Sequence, residues 1–171
     1  VDASPVIHPL LDFEKKFIGI ETNDMYMTLK DWYENKTELK GGEYILQMDI
    51  EGAEYEVLNS IDEFFLKNFR IMVIEFHNLH CIVDPAGIDL VEFSFKKILK
   101  NFEIVHIHPN NESKPLKYHG FEIPSTMEFT FLRKDRILKK SQNTSFPHQE
   151  DLQNFINSII SLSLQPDGVN L

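Results

Sequence analysis

Cysteine is nearly missing from this chain: Cys81 is its one thiol in 171 residues. An intrachain disulfide is excluded, and so is a zinc knuckle of the Cys-x-x-Cys type. A reducing, cytoplasmic setting is the expectation. Long apolar runs are missing too. None approaches the ~18 residues that a spanning helix needs, so no membrane association is expected. No signal peptide is visible. The first residue is Val1 rather than Met, which suggests a processed N-terminus or a sequence that starts inside a longer protein. Basic charge is scarce, with 17 Lys and Arg against 27 Asp and Glu and a net charge of −10. Nucleic-acid phosphates and anionic lipids repel such a chain unless it carries a local basic patch. The densest basic run, residues 133–140, is short and has no aromatic residue between its charges. It reads as a solvated chain end, and nucleic acid is not an expected partner.

What is present suits a folded core. Apolar residues make up 42% of the chain and include 14 Phe, which is a globular composition in a length sufficient for one domain. Residues 1–16, with Pro5 and Pro9, read as an extended arm. Residues 17–20 suggest a short strand. Thr28, with Asp31 three residues on, reads as the N-cap of a helix over 28–34, closed by Gly41 and Gly42. Residues 44–50 are apolar on both faces, as in a central strand of a parallel sheet. Val57, Leu58, Ile61, Phe64 and Phe65 have helical spacing and predict one helix over 54–68. A buried strand over 70–76 follows, then a loop holding Pro85 and Gly87, a helix over 88–101 and a strand over 102–107. The polar segment 109–124 and the alternating segment 126–132 suggest a long hairpin at the sheet edge. Residues 141–148 read as a linker and 149–164 as a final helix. The expectation is an α/β sheet, mainly parallel with an antiparallel edge hairpin, divided into an arm (1–16), a body (17–140) and a tail (141–171).

In open α/β sheets, ligands bind beyond the carboxyl ends of the strands. Asp49 ends the 44–50 strand, just before a turn containing Gly52. A carboxylate there can orient or deprotonate a hydroxyl; the plainer reading is one satisfied by the N–H groups of its own turn. Glu51 and Glu54 sit where the helix dipole favours acids. Glu51 is a candidate contact to a cofactor or acceptor, and Glu54 reads as structural. Glu75 and His77 alternate onto one face. His77 suits a general base or an acceptor-positioning role, or else a partly buried histidine bonded to Glu75. The run His106-Ile-His108-Pro-Asn110-Asn111 ends the next strand and offers His108 and Asn110 to an acceptor pocket. His106 and His108, two residues apart, share a face and could share a metal with Asp49 and His77, though no metal is assigned. Cys81 reads as a small buried hydrophobe.

Four motifs taken in order, MDIEGAEYEVL, IMVIEFHNL, IVHIHPNN and EFTFLRKD, resemble the C-terminal half of FkbM-type methyltransferases. The Thr28-Leu-Lys-Asp-Trp32 stretch resembles the helix before the fourth strand of that family, and the likeness covers residues 17–136. It implies a Rossmann-like class I methyltransferase sheet, S-adenosyl-L-methionine as cofactor, and O-methylation of a hydroxyl on a sugar, polyketide or similar small molecule. It implies catalytic roles for Asp49 and His77, cofactor contacts from Asp49 and Glu51, and acceptor contacts from Glu75, His108 and Asn110. The sequence departs from the family's pattern in its glycines. A complete enzyme of this type has a glycine-rich turn after its first strand, and none of the seven glycines here forms G-x-G. Strands four to seven are therefore expected without the N-terminal strands, in a chain that does not bind the cofactor tightly alone. The 44–50 strand is then expected to show a bare edge, open to self-association. Two other functions stay open: a metal-dependent hydrolase using Asp49, His77, His106 and His108, and a binding module that keeps the sheet without catalysis.

Overall fold

The computed structural model describes residues 11–36, 42–110 and 114–140. The expected C-terminal linker and helix, most of the N-terminal arm, and Asn111 lie outside the described residues. The fold is mixed α/β. Chain order is β1 (Phe17–Gly19), β2 (Tyr26–Thr28), α1 (Leu29–Asn35), β3 (Tyr44–Met48), α2 (Glu54–Ser60), α3 (Glu63–Leu66), β4 (Phe69–Phe76), a 3₁₀ turn (Leu79–Val83), α4 (Pro85–Leu99), β5 (Phe102–Pro109), β6 (Leu116–Tyr118), β7 (Phe121–Ile123) and β8 (Met127–Arg133).

The main sheet has the order β3-β4-β8-β5. β3 pairs with β4 in parallel, and β8 is antiparallel to both β4 and β5. Three strands thus run one way and β8 runs against them. The expected hairpin of 109–124 with 126–132 does not form among the described residues: β8 pairs antiparallel with the 102–109 strand and with β4 and lies inside the sheet, leaving β3 and β5 at its edges. One pairing of the three in this sheet is parallel, fewer than the sequence suggests. β1 and β2 pair in parallel as a separate ribbon, and β6 and β7 form a small hairpin. Among the described residues, β3 has one hydrogen-bonded neighbour, so its other edge carries no strand.

Alternation sorts the sheet into two unlike faces. Leu46, Met48, Met72, Ile74, Phe76, Phe129 and Phe131 are all buried and pack with Val57 and Leu58 of α2 and Ile98 of α4 in one core cluster. Phe76 is its hub, with Tyr55, Phe95 and Phe129 ring centroids 5.3, 4.9 and 5.7 Å away. The opposite face is more open. It carries Ile45, 67% exposed, with Gln47, Val73, Thr130 and His106 aligned across the strands by register. β3 is therefore an edge strand with one buried face. Its apolar residues on both sides suggest a doubly covered strand, but α2 and α4 share one layer.

Local chemistry sets the helix ends. Thr28 caps α1 as its sequence predicts, its hydroxyl accepting from the Asp31 N–H at 3.0 Å. The expected 54–68 helix is broken instead. Asp62 caps a new turn by accepting from the Phe64 N–H, while the Lys97 ammonium donates to the carbonyls of Leu58, Asn59 and Ile61 at 2.8–2.9 Å. These carbonyls lose their intrahelical partners at the break, and Lys97 replaces them. α4 begins earlier than expected. Pro85 occupies its first turn rather than a loop, and Asp84 caps it by accepting from the N–H groups of Ala86 and Gly87; a proline fits there because no donor is needed. The basic run 133–140 is held into the fold. Arg133, with a side chain 15% exposed, pairs with Glu43 and Asp135, and Lys140 pairs with Glu103.

Gly87 brings α4 against the 3₁₀ turn so closely that an added Cβ would overlap the Cys81 carbonyl oxygen. A Gly87→Ala chain is expected to lose about 1–3 kcal/mol of stability through forced backbone displacement. Urea unfolding followed by circular dichroism measures this, and an unchanged midpoint would mean that the turn yields freely.

Candidate active site

The strand tips of β3 and β4 meet at a turn built around a buried acid. After Met48 the chain turns through Glu51 (φ 57°) and Gly52 (φ 106°), both left-handed. Glycine tolerates this conformation and glutamate does so at a cost. Glu54 opens α2 and is fully buried. Its Oε1 accepts from the N–H groups of Ile50 and Gly52 at 3.2 and 3.1 Å and so fixes the turn. The same oxygen lies 3.0 Å from Nδ1 of His77. That oxygen already accepts from two N–H groups, so Nδ1 is the donor in this contact. Nε2 is then turned outward, 3.8 Å from Asp49 Oδ1 and 3.5 Å from Glu51 Oε2.

The next strand adds a second acid. Glu75 shares the His77 face of β4 and accepts from the Asn110 side-chain amide at 2.8 Å. Asn110 is held in turn by its N–H, which donates to the Thr126 carbonyl. Register places Glu128 opposite Glu75 and His108 opposite Glu128, so the row continues across the sheet. Asn78, left-handed at φ 56°, redirects the chain beyond His77.

Asp49, Glu51, Glu75, His77 and Asn110 are thus gathered at one end of the sheet. His108 lies in the same cross-strand row, and His106 is aligned with Thr130 one step further from the tips. The expected partners change. Glu54, not Glu75, bonds His77, and the turn's N–H groups go to Glu54 rather than to Asp49. Among the described residues, single ligand atoms of Asp49, Glu75 and His77 lie within 4.8 Å of one another. His106 and His108 fall outside that group, which removes the geometric basis for the four-residue hydrolase centre.

Electrostatically the site is acidic. Asp49, Glu51 and Glu54 each place a carboxylate oxygen 3.0–3.8 Å from a His77 ring nitrogen, and no described lysine or arginine pairs with these acids or with Glu75. Glu54 Oε2 and the neighbouring Tyr55 hydroxyl are buried without hydrogen-bond partners among the described residues. Burial holds the Tyr55 hydroxyl pKa above its ordinary range, with the charges at Cys81 and Glu54 adding to it. Burial also raises the Cys81 thiol, which fits an inert, half-buried side chain. On the α4 side of the sheet lies a separate cavity of about 750 Å³, lined by apolar groups that include Leu79, Val91, Phe95, Phe121 and Met127 and by none of the acids or histidines above. Leu79 follows His77 by two residues, and Met127 is paired with Phe76.

The family model of the methyltransferase FkbM domain matches residues 12–123. The chain belongs to the FkbM methyltransferase family. No curated protein and no solved structure matches it. The FkbM match begins before β1 and ends with β7, so it includes every candidate from Asp49 to Asn110 and leaves β8 and Glu128 outside. The FkbM domain has no described helix long and apolar enough to cross a membrane.

Proposed function

We propose that this chain carries the acceptor-facing part of a Rossmann-like, S-adenosyl-L-methionine-dependent methyltransferase acting on a hydroxyl of a small molecule. The observation that supports this most is the meeting of Asp49, Glu51 and His77 at the carboxyl ends of parallel β3 and β4, within the span of the FkbM match. That is where ligands bind in open α/β sheets. The residues fit the reacting end of the cofactor, because four acids without a described lysine or arginine partner favour a cationic ligand. The S-adenosyl-L-methionine sulfonium, when bound, supplies an electrophilic methyl group.

The protein's part is alignment and proton handling. Asp49 and His77 are the pair assigned to the acceptor's hydroxyl proton. His77 is suited because Glu54 fixes its tautomer and leaves Nε2 facing outward. Glu51 reaches toward the cofactor, while Glu75, His108 and Asn110 flank the acceptor. The glycine-rich turn implied by the family likeness is assigned to residues other than these. A cytoplasmic setting and self-association through the open β3 edge belong to the same proposal.

The test is transfer of a labelled methyl group by the longest natural polypeptide that contains these residues, offered sugar and polyketide acceptors. Label in an acceptor ether is expected. Donor binding without transfer to any hydroxyl would favour the non-catalytic module.

A further inference from the structure

We propose that Asp49, Glu75 and His77 bind one divalent ion of the first transition row. Each offers one ligand atom, and the three atoms lie within 4.8 Å of one another. Metal bonds of about 2.0–2.2 Å place such atoms roughly 3–4 Å apart. Closure therefore requires only a modest shift, and Asp49, with a side chain 48% exposed, has room to make it. One imidazole nitrogen with two carboxylate oxygens suits ions such as Mn²⁺, Fe²⁺ or Zn²⁺ better than an all-oxygen set would.

A second observation points to the same ligand from the protein side. Glu54 is fully buried and directs its carboxylate at His77, while its Oε2 has no partner among the described residues. Histidines that bind metals commonly donate their other ring N–H to a carboxylate, which orients the ring and raises its basicity. The Nδ1 contact of 3.0 Å to Glu54 is that arrangement. Nε2 lies 3.8 and 3.5 Å from oxygens of Asp49 and Glu51, beyond hydrogen-bond length. Asn110 orients Glu75 by donating to one of its carboxylate oxygens.

The ion's use in methyl transfer rests on the reading above: with the ion bound, Asp49 and His77 would act on the acceptor's hydroxyl proton through it, as ligands of an ion that lowers the pKa of a coordinated hydroxyl, rather than as direct proton acceptors. Its binding does not rest on that reading. The full chain, stripped with a chelator and without methyl donor or acceptor, is titrated with Mn²⁺ while the free-ion electron paramagnetic resonance signal is followed. One Mn²⁺ per chain is expected, with nitrogen hyperfine coupling from His77. Asp49→Asn and Glu75→Gln should each weaken binding at least about tenfold, and Glu54→Gln, which touches no ion, by roughly 10–100-fold. The Asp49 side chain is half exposed and has no hydrogen-bond partner among the described residues, so the Asp49→Asn chain, checked by circular dichroism, keeps the test decisive. Absence of stoichiometric Mn²⁺, or wild-type affinity in Asp49→Asn, would overturn the site. Active methyl transfer without Mn²⁺ binding would overturn the site and leave the methyltransferase reading standing; tight Mn²⁺ without transfer would do the reverse.

Discussion

A Glu54→Ala chain is expected to lose about 3–5 kcal/mol of folding stability, because several donors lose their shared acceptor at once. The reason is geometric. One oxygen of Glu54 serves the Ile50 and Gly52 N–H groups and His77 Nδ1. Deleting it strands three donors at a turn whose backbone is already left-handed at two consecutive residues. Each unpaired buried donor costs about 1–3 kcal/mol, and partial hydration keeps the total below their sum. Glu54→Gln retains an acceptor oxygen and should cost less. Chemical denaturation of the three proteins measures the difference. A loss under about 1 kcal/mol in Glu54→Ala would mean that the turn holds itself.

The second large effect concerns turnover rather than folding. Asp49→Asn, in the longest natural polypeptide containing the chain, should reduce methyl transfer about a hundred- to ten-thousand-fold, the usual contribution of a positioned acid or base. Stability should stay within about 0.5 kcal/mol of wild type, as for surface changes away from special features, because the Asp49 side chain is half exposed. Unchanged turnover would remove Asp49 from the mechanism. His77→Ala is a poorer probe of chemistry alone. It leaves Glu54 without its ring partner, so stability and turnover should fall together.

Much of this site is legible in the sequence, and the illegible part has a physical cause. The acidic turn after the 44–50 strand and the Glu75/His77 alternation follow from periodicity and lie where the strands end. The central role of Glu54 was also within reach. Its position falls on the same helical stripe as Val57, Leu58 and Ile61, at spacings of three, four and seven. A carboxylate on a buried stripe requires a partner. The dipole argument explains the acid equally well as a surface residue, and that masked the signal. The helix break at Ile61 was beyond local reading because its carbonyls are satisfied by Lys97, thirty-odd residues later in the chain. The place of β8 was also hidden, because alternation reveals a strand and one covered face but not its neighbours.

The position of β8 has a consequence for synthesis. β5 hydrogen-bonds to β8 alone among the described strands of the main sheet, and β8 lies beyond it in the chain. As the polypeptide leaves the ribosome, β3 and β4 can join at once, whereas β5 emerges with no strand to receive it. The sheet can close only after residue 133 is free, by a pairing of high sequence separation, which is the slow kind. A premature stop between residues 110 and 126 would therefore remove more than a strand: it would strand β5 and uncover the long side of β4.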